Sequence, residues 1–222
     1  MEETAPAQPN QSIMTGIAVL QEVVTQAAPV GSRDLARRMG IEHSRINRIL
    51  GTLVHMGMLR RDPAHKYSVG GGVHVLSAQS LHASRLLTAS LAPLGRLQER
   101  GATVALGTVW RDVVCYLLHA RPGDDLAATA GAHDTFPVEE SVIGAVMRSD
   151  ERVVRWDRAD RGEVSWAAAV GTPPIAAIAA VFPAGDRIGG SPATRELVAR
   201  AAREIEAALS SHARTRTEGE PS

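Results

Sequence analysis

The sequence predicts an α+β fold: an N-terminal helical module closed by a β-hairpin, a linker helix, and a compact C-terminal α/β domain with an antiparallel sheet. Three observations predict it. Apolar residues recur at helical spacing in three segments before residue 57, separated by short Gly- or Pro-containing breaks. Two short alternating runs, MLRR and KYSV, flank the turn DPAH. Strand-like alternation returns in VVCYLL, well beyond a second helical stretch. At 222 residues the chain can bury a core in one large domain or two small ones.

Taken in order, residues 1–11 carry two prolines and no apolar periodicity, and predict a disordered leader. Apolar residues at 13, 17, 20 and 24 predict a first helix that stops near the AAP of 27–29. Ser32 is the expected N-cap of a second helix that turns Leu35, Ala36 and Met39 inward and ends on a left-handed Gly40. Ser44 is the expected cap of a third helix, in which Ile46, Ile49, Leu50 and Leu53 form one apolar stripe. Gly57 signals its end, and the hairpin follows. Helix, short turn, helix, hairpin is a winged helix-turn-helix, placed at 12–70. The GGG of 70–72 reads as a hinge, residues 71–87 as a linker and dimerisation helix pairing through Val73, Val75, Leu76, Leu81, Leu86 and Leu87, and 213–222 as a disordered tail.

The third helix has an unusual outer face. Opposite its apolar stripe lie Ser44, Asn47, Arg48, Gly51 and His55, flanked by Arg45 and Thr52, with no carboxylate among them. An ordinary solvated face mixes signs. Gly51 costs about 1 kcal/mol against alanine unless something must approach the backbone. The formal net charge of zero hides a division: residues 12–69 hold eight Lys or Arg against four acids, while the rest of the chain is net negative. The polyanion that fits such a module is double-stranded DNA, read in the major groove by side chains of a helix. The candidate contacts are Ser32, Arg33, Ser44, Arg45, Asn47, Arg48, Thr52, His55, Arg60, Arg61 and Lys66. Ser44, Arg45 and Asn47 are the expected base readers; Arg48 either touches a phosphate or braces the fold, and the wing cations suit phosphates.

Other chemistries find little support. No run of about 18 apolar residues exists, and MEETAPAQPNQ is not a signal peptide, so a cytoplasmic protein without membrane contact is expected. The single Cys115 excludes an internal disulfide and a Cys-rich metal site, and reads as a small buried hydrophobe. Asp124 and Asp125 follow PG and read as turn residues; His133 and Asp134 lack a nucleophile in a recognisable elbow; His74 and His82 are too far apart on one helix to share a metal; and GGG lacks the lysine of a phosphate loop. No catalytic residues and no cofactor are expected.

The run GSRDLARRMGIEHSRINRILGTLVHMGMLRRD followed by KYSVGG resembles the N-terminal domain of IclR-type bacterial transcription regulators. The matching positions are Leu35 and Ala36, then Arg48, Ile49, Leu50 and Leu53, then Gly57, then Tyr67, Val69 and Gly70. Arg45 stands where that family has a small hydroxyl residue. Weaker similarity continues through LAPLGRLQERGATVALGTV and GAHDTFPVEESVIGAVM, with Pro137 and Gly144 kept and Glu139 in place of a histidine, to VSWAAAVGTPPIAAIAAVFP and the closing helix ATRELVARAAREIEAALSS. The resemblance implies an effector-binding domain at 88–212, shortened between Met147 and Val164, where the family has a longer helical cover. It further implies a homodimer or dimer of dimers whose DNA-reading heads respond to a small organic effector, with Trp110, Phe136, Ser141 and Trp166 on pocket-forming segments. Two alternatives stay open: a ligand-independent regulator whose C-terminal domain serves oligomerisation or protein contacts, and a small-molecule binder or enzyme that has lost DNA binding.

Overall fold

The computed structural model describes residues 8–131 and 134–218, which divide between Ala83 and Ser84 into two units. The leader expected at 1–11 lies outside the described residues as far as position 7. Helix α1, Gln11–Val24, starts on Asn10, whose Oδ1 accepts the amides of Ser12 and Ile13 (3.1 and 3.2 Å). It packs through Thr15, Val19 and Val23. Of the apolar positions that mark this helix in the sequence, Leu20 packs against the core, whereas Ile13 is 60% and Ile17 43% exposed, and Val24 is exposed as well. The 15–19–23 row, one residue per turn, is narrow enough to sit close against the third helix, and the larger Ile13–Ile17 row is left beside it.

A two-residue strand β1, Val30–Gly31, too short to leave a sequence pattern, pairs Val30 with Tyr67. It leads into α2, Ser32–Met39. The cap position is Gly31, without a side-chain hydrogen bond, so Ser32 is not the N-cap; Gly40 does take the left-handed conformation (φ 62°). Helix α3, His43–His55, has Glu42 at its cap position, and Ser44 lies inside the first turn. Both serines sit one or two residues into their helices, and Ser32 is bonded to a side chain of α3. Strands β2, Leu59–Arg61, and β3, Lys66–Val69, close the wing, with the turn tied by Asp62 Oδ1 accepting the Lys66 amide (2.8 Å). Val19, Leu35, Ile46, Leu50, Leu59 and Tyr67 fill the core.

The GGG stretch, expected as a hinge, is packed against the start of the wing at two of its three positions. A Cβ on Gly70 would stand 2.4 Å from the Gly57 carbonyl oxygen, and one on Gly72 2.8 Å from Met58 Sδ, while Gly71 and Gly72 already belong to α4, Gly71–Ser84. Helix α4 buries none of its residues and ends before Arg85, which adopts φ 52°. Leu86 and Leu87, expected on the linker helix, begin α5, Leu86–Gln98, and pack into the core of the second unit.

That second unit is an antiparallel six-stranded sheet in the order β6-β5-β4-β9-β8-β7. Its strands are β4 (Thr103–Trp110), β5 (Val113–Ala120), β6 (Thr135–Pro137), β7 (Val153–Arg158), β8 (Glu163–Val170) and β9 (Ala176–Pro183). Alternation sorts the residues onto two faces, with one register shift in the β4–β5 pair that switches the parity of β5 between Tyr116 and Leu118. Leu106, Leu118, Trp166, Ile178 and Phe182 meet α5 and α7, Pro192–Glu218. Ala105, Ala167, Ala169, Ala177 and Ala179 make a low floor on the other face, on which α6, Val142–Met147, lies. Gly144 lets the turn before α6 fold close against the helix, since a Cβ there would fall 2.2 Å from the Val138 carbonyl oxygen. Residues 148–163 form a short connection and β7 with no helical cover, and α7 runs on to Glu218, through most of the segment expected as a disordered tail.

Candidate nucleic-acid interface and ligand cleft

Helix α3 presents the face that its periodicity demands. Ile46 and Leu50 are fully buried, Leu53 nearly so, and Ser44, Asn47, Arg48, Gly51, Thr52 and His55 are exposed. A Cβ on Gly51 would meet no atom of the chain, so nothing inside the fold demands glycine there. The start of the helix is organised by His43, a residue that the sequence pattern did not single out. Its Nε2 lies 2.9 Å from Ser32 Oγ and 3.3 Å from Asn47 Nδ2, tying the start of α2 to the outer face of α3. The Asn47 amide is a donor, so Nε2 acts as the acceptor in that contact.

Arg45, expected as a base reader, is bonded to α1 in this structure. At roughly 100° per residue it falls on the flank of α3 facing α1, where its Nη2 donates to Thr15 Oγ1 (3.1 Å). That hydroxyl is itself buried and donates to the Gln11 carbonyl (2.6 Å). Arg45 therefore braces α3 against α1. Arg48 stays exposed, and Thr52 bonds back to the Arg48 carbonyl (3.0 Å). On the hairpin, Arg60 Nε donates to Ser68 Oγ (2.9 Å), Arg61 lies over the Tyr67 ring at 5.7 Å, and the Lys66 side chain is exposed. Arg37 and Arg38 pair with Asp34 and Glu22. Among the described residues, Arg33, Arg45, Arg48, Arg60, Arg61 and Lys66 make no ion pair.

The second unit carries a cleft of about 250 Å³ on the α6 side of the sheet. Tyr116 and Phe136 meet with ring centroids 5.0 Å apart, Trp156 stands opposite on β7, and Ser141, Ser165, Arg121 and Arg158 supply polar groups. Ser141 is buried, caps α6 through the Ile143 amide (3.2 Å), and lies 3.2 Å from the Tyr116 hydroxyl. Arg158 donates to the Glu140 carbonyl and stacks on Trp156 (5.0 Å).

Of the four residues expected to hold an effector, Phe136 and Ser141 line this cleft, and Trp110 and Trp166 do not. Trp110 is 48% exposed beside Arg111 at the β4–β5 turn. Trp166 points to the opposite face of β8, where it is buried and donates Nε1–H to the Gly189 carbonyl (2.9 Å). Along β8 it is Ser165, one position away, that faces the cleft. Tyr116, Trp156 and Arg158 were not singled out; Trp156 and Arg158 fall on the cleft side by alternation along β7, whereas the register shift in the β4–β5 pair puts Tyr116 and Leu118 on opposite faces of β5. Cys115 is half-buried, and burial and then the Asp134 charge push its thiol above the ordinary range. Asp124 is a turn residue, its Oδ2 accepting the Arg121 amide (2.8 Å). His133 lies outside the described residues.

Residues 12–63 match the IclR helix-turn-helix domain. The match covers the helix-turn-helix unit, and the rest of the chain follows the fold of solved IclR-family structures. A solved IclR-family regulator from Brucella abortus is 17% identical with a TM-score of 0.72 over 93% of this chain and 96% of its own. One from Alicyclobacillus acidocaldarius is 17% identical with a TM-score of 0.62, over 92% and 99%. An IclR homologue from Microbacterium hydrocarbonoxydans, solved in complex with 4-hydroxybenzoate, is 19% identical with a TM-score of 0.60, over 90% and 99%. At these identities the likeness establishes the fold, with its helix-turn-helix unit and curled antiparallel sheet. No curated protein matches the chain in sequence. Among the described residues, no helix is long and apolar enough to cross a membrane.

Proposed function

We propose that this protein regulates transcription as a dimer, reading double-stranded DNA with α3 and the β2–β3 hairpin under the control of a small aromatic acid held in the cleft. One observation carries the DNA reading: the outer face of α3 has no carboxylate, and the unit around it holds six cations that make no ion pair among the described residues. Ser44, Asn47, Arg48 and His55 are the groups facing outward for base edges, with Thr52 and the glycine gap at 51 between them. Ser32 holds His43 in place, and Arg33, Arg60, Arg61 and Lys66 fit phosphates. Arg45 acts by bracing.

A dimer suits the surfaces of the first unit. Helix α4 has no charged residue from Gly71 to Ser84 and buries none of its side chains, and α1 leaves Ile13, Met14 and Ile17 uncovered. A second copy would cover both and double the phosphate contacts. For the effector, three aromatic walls fit a ring, and Arg121 and Arg158 fit a carboxylate. The 4-hydroxybenzoate held by the Microbacterium protein has both. The modest cleft volume favours a second reading, in which the C-terminal unit only joins copies.

Recovery of bound DNA across the genome tests the first part. Discrete inverted repeats with half-site centres about 10 bp or a multiple apart are expected, and the absence of enriched sites overturns it. Thermal shift with 4-hydroxybenzoate and other aromatic and keto acids tests the second. Stabilisation that is lost in Arg158→Ala supports the cleft; no stabilisation of a folded protein by any of them supports the second reading.

A further inference from the structure

Strand β7 forms one edge of the six-stranded sheet and pairs only with β8. Which of its backbone groups are left free follows from one bond. The Arg152 carbonyl, one residue before the strand, accepts the Ala169 amide on the β8 side (3.0 Å). In an antiparallel ladder, residues turned toward the neighbour alternate with residues turned away. Positions 152, 154, 156 and 158 therefore bond to β8, and Val153, Arg155 and Asp157 turn their N–H and C=O outward. Among the described residues nothing pairs with that outer edge.

Open edges are ordinarily blunted by charge. Strand β7 carries charge, but in a pattern that is its own antiparallel complement. A twofold axis through Trp156 sets Arg155 opposite Asp157 of a second copy, and Asp157 opposite Arg155. Both residues have outward backbone groups, so the same register makes them hydrogen-bonded pairs. Sliding by two residues in either direction puts Arg155 against Arg155 or Asp157 against Asp157 on the axis. The charges thus select one register from those that the backbone allows. Within a single copy Arg155 Nε already reaches Asp157 Oδ1 (2.8 Å), and both side chains are exposed, so each is within reach of an opposed partner. Trp156 would face its own copy in the close, non-hydrogen-bonded position.

We propose that two copies of this protein pair through β7, antiparallel about Trp156, to give one continuous sheet across two C-terminal units. Four backbone hydrogen bonds and two Arg–Asp pairs form. Trp156 and Arg158 also line the cleft, so the second copy lies along its rim and couples pairing to cleft occupancy. The pairing does not rest on the DNA-binding reading.

Cross-linking of the full chain tests the register. Non-hydrogen-bonded partners have Cα atoms about 4.5 Å apart, inside the window for a disulfide of about 4.4–6.8 Å. In a Cys115→Ser background, Trp156→Cys should form an intermolecular disulfide under mild oxidation, and Asp157→Cys should give roughly a tenth of that yield or less, because position 157 opposes 155. Equal yields, or none from Trp156→Cys, overturn the proposal. Sedimentation equilibrium provides a test that leaves Trp156 in place. Asp157→Arg should weaken self-association about tenfold, and adding Arg155→Asp should restore it, since the swapped pair is again complementary. A double variant as weak as the single one overturns the proposal.

Discussion

Replacing Arg45 by methionine separates a brace from a base contact. The Arg45 side chain is half-buried against α1 and donates to the Thr15 hydroxyl at 3.1 Å; Thr15 is 6% exposed, and its hydroxyl is bonded onward to the Gln11 carbonyl. A hydrogen bond involving a charged group contributes about 1.5–3 kcal/mol when protected, and partial exposure brings this to about 1 kcal/mol. Methionine keeps most of the aliphatic packing, so the loss is mainly that bond. In a unit of this size, about 1 kcal/mol lowers Tm by roughly 4–8 °C. Thermal melts of the full chain, read on the first unit, check the stability. Competition binding with a set of operators substituted one base pair at a time checks the recognition. The expected result is a lower Tm with the ranking of bases unchanged at every position. Asn47→Ala should do the reverse, sparing Tm and relaxing one position by about 1–3 kcal/mol. If Arg45→Met leaves Tm within about 1 °C of wild type and flattens one base preference, well under the shift that the brace requires, the arginine leaves Thr15 on DNA and the argument is refuted.

Gly144→Ala forces a methyl toward the Val138 carbonyl oxygen, only 2.2 Å away, and should destabilise the second unit by about 1–3 kcal/mol in chemical denaturation while leaving the melt of the first unit in place. Thr15→Val removes the acceptor of the brace, and a double-mutant cycle with Arg45→Met should show coupling of about 1 kcal/mol, against none for independent sites. With its pKa raised by burial and by Asp134, the Cys115 thiol stays protonated to higher pH than an ordinary cysteine, so its alkylation rate at pH 8 should be well below that of a free thiol and rise with pH; Asp134→Asn should speed it. Lys66→Ala removes one phosphate contact per head, and in a dimer it should flatten the slope of log K against log salt by about 1.8 without altering base preference.

The first unit was the more legible half because its elements are local. The stripe Ile46–Leu50–Leu53, the left-handed Gly40 and the hairpin about DPAH each announce themselves within a few residues. What local pattern does not carry there is pairwise. Which row of α1 faces inward depends on how close α3 can come, and the bond that Arg45 makes depends on a threonine 30 positions earlier. Both serine caps were misplaced by one or two residues, which periodicity does not resolve. In the second unit both faces of the sheet are covered, so β8 and β9 read as continuous apolar runs and the alternation that separates Ser165 from Trp166 is masked. Three of the cleft's walls, Tyr116, Trp156 and Arg158, lie on strands whose partners are set by the fold and by no local signal. The boundary at Arg85 was likewise invisible, because Leu86 and Leu87 extend the apolar character of the preceding helix while belonging to a different core.

The salt dependence of binding to the gene's own upstream DNA tests the central claim most directly. Each head presents Arg33, Arg48, Arg60, Arg61 and Lys66 without an ion pair among the described residues. A dimer that places most of these cations on phosphates should show log K falling against log salt with a slope of about −7 to −9, and should lose roughly 10⁴- to 10⁵-fold in affinity between about 50 and 200 mM salt. Binding that ignores salt, or no binding at about 50 mM, contradicts the account.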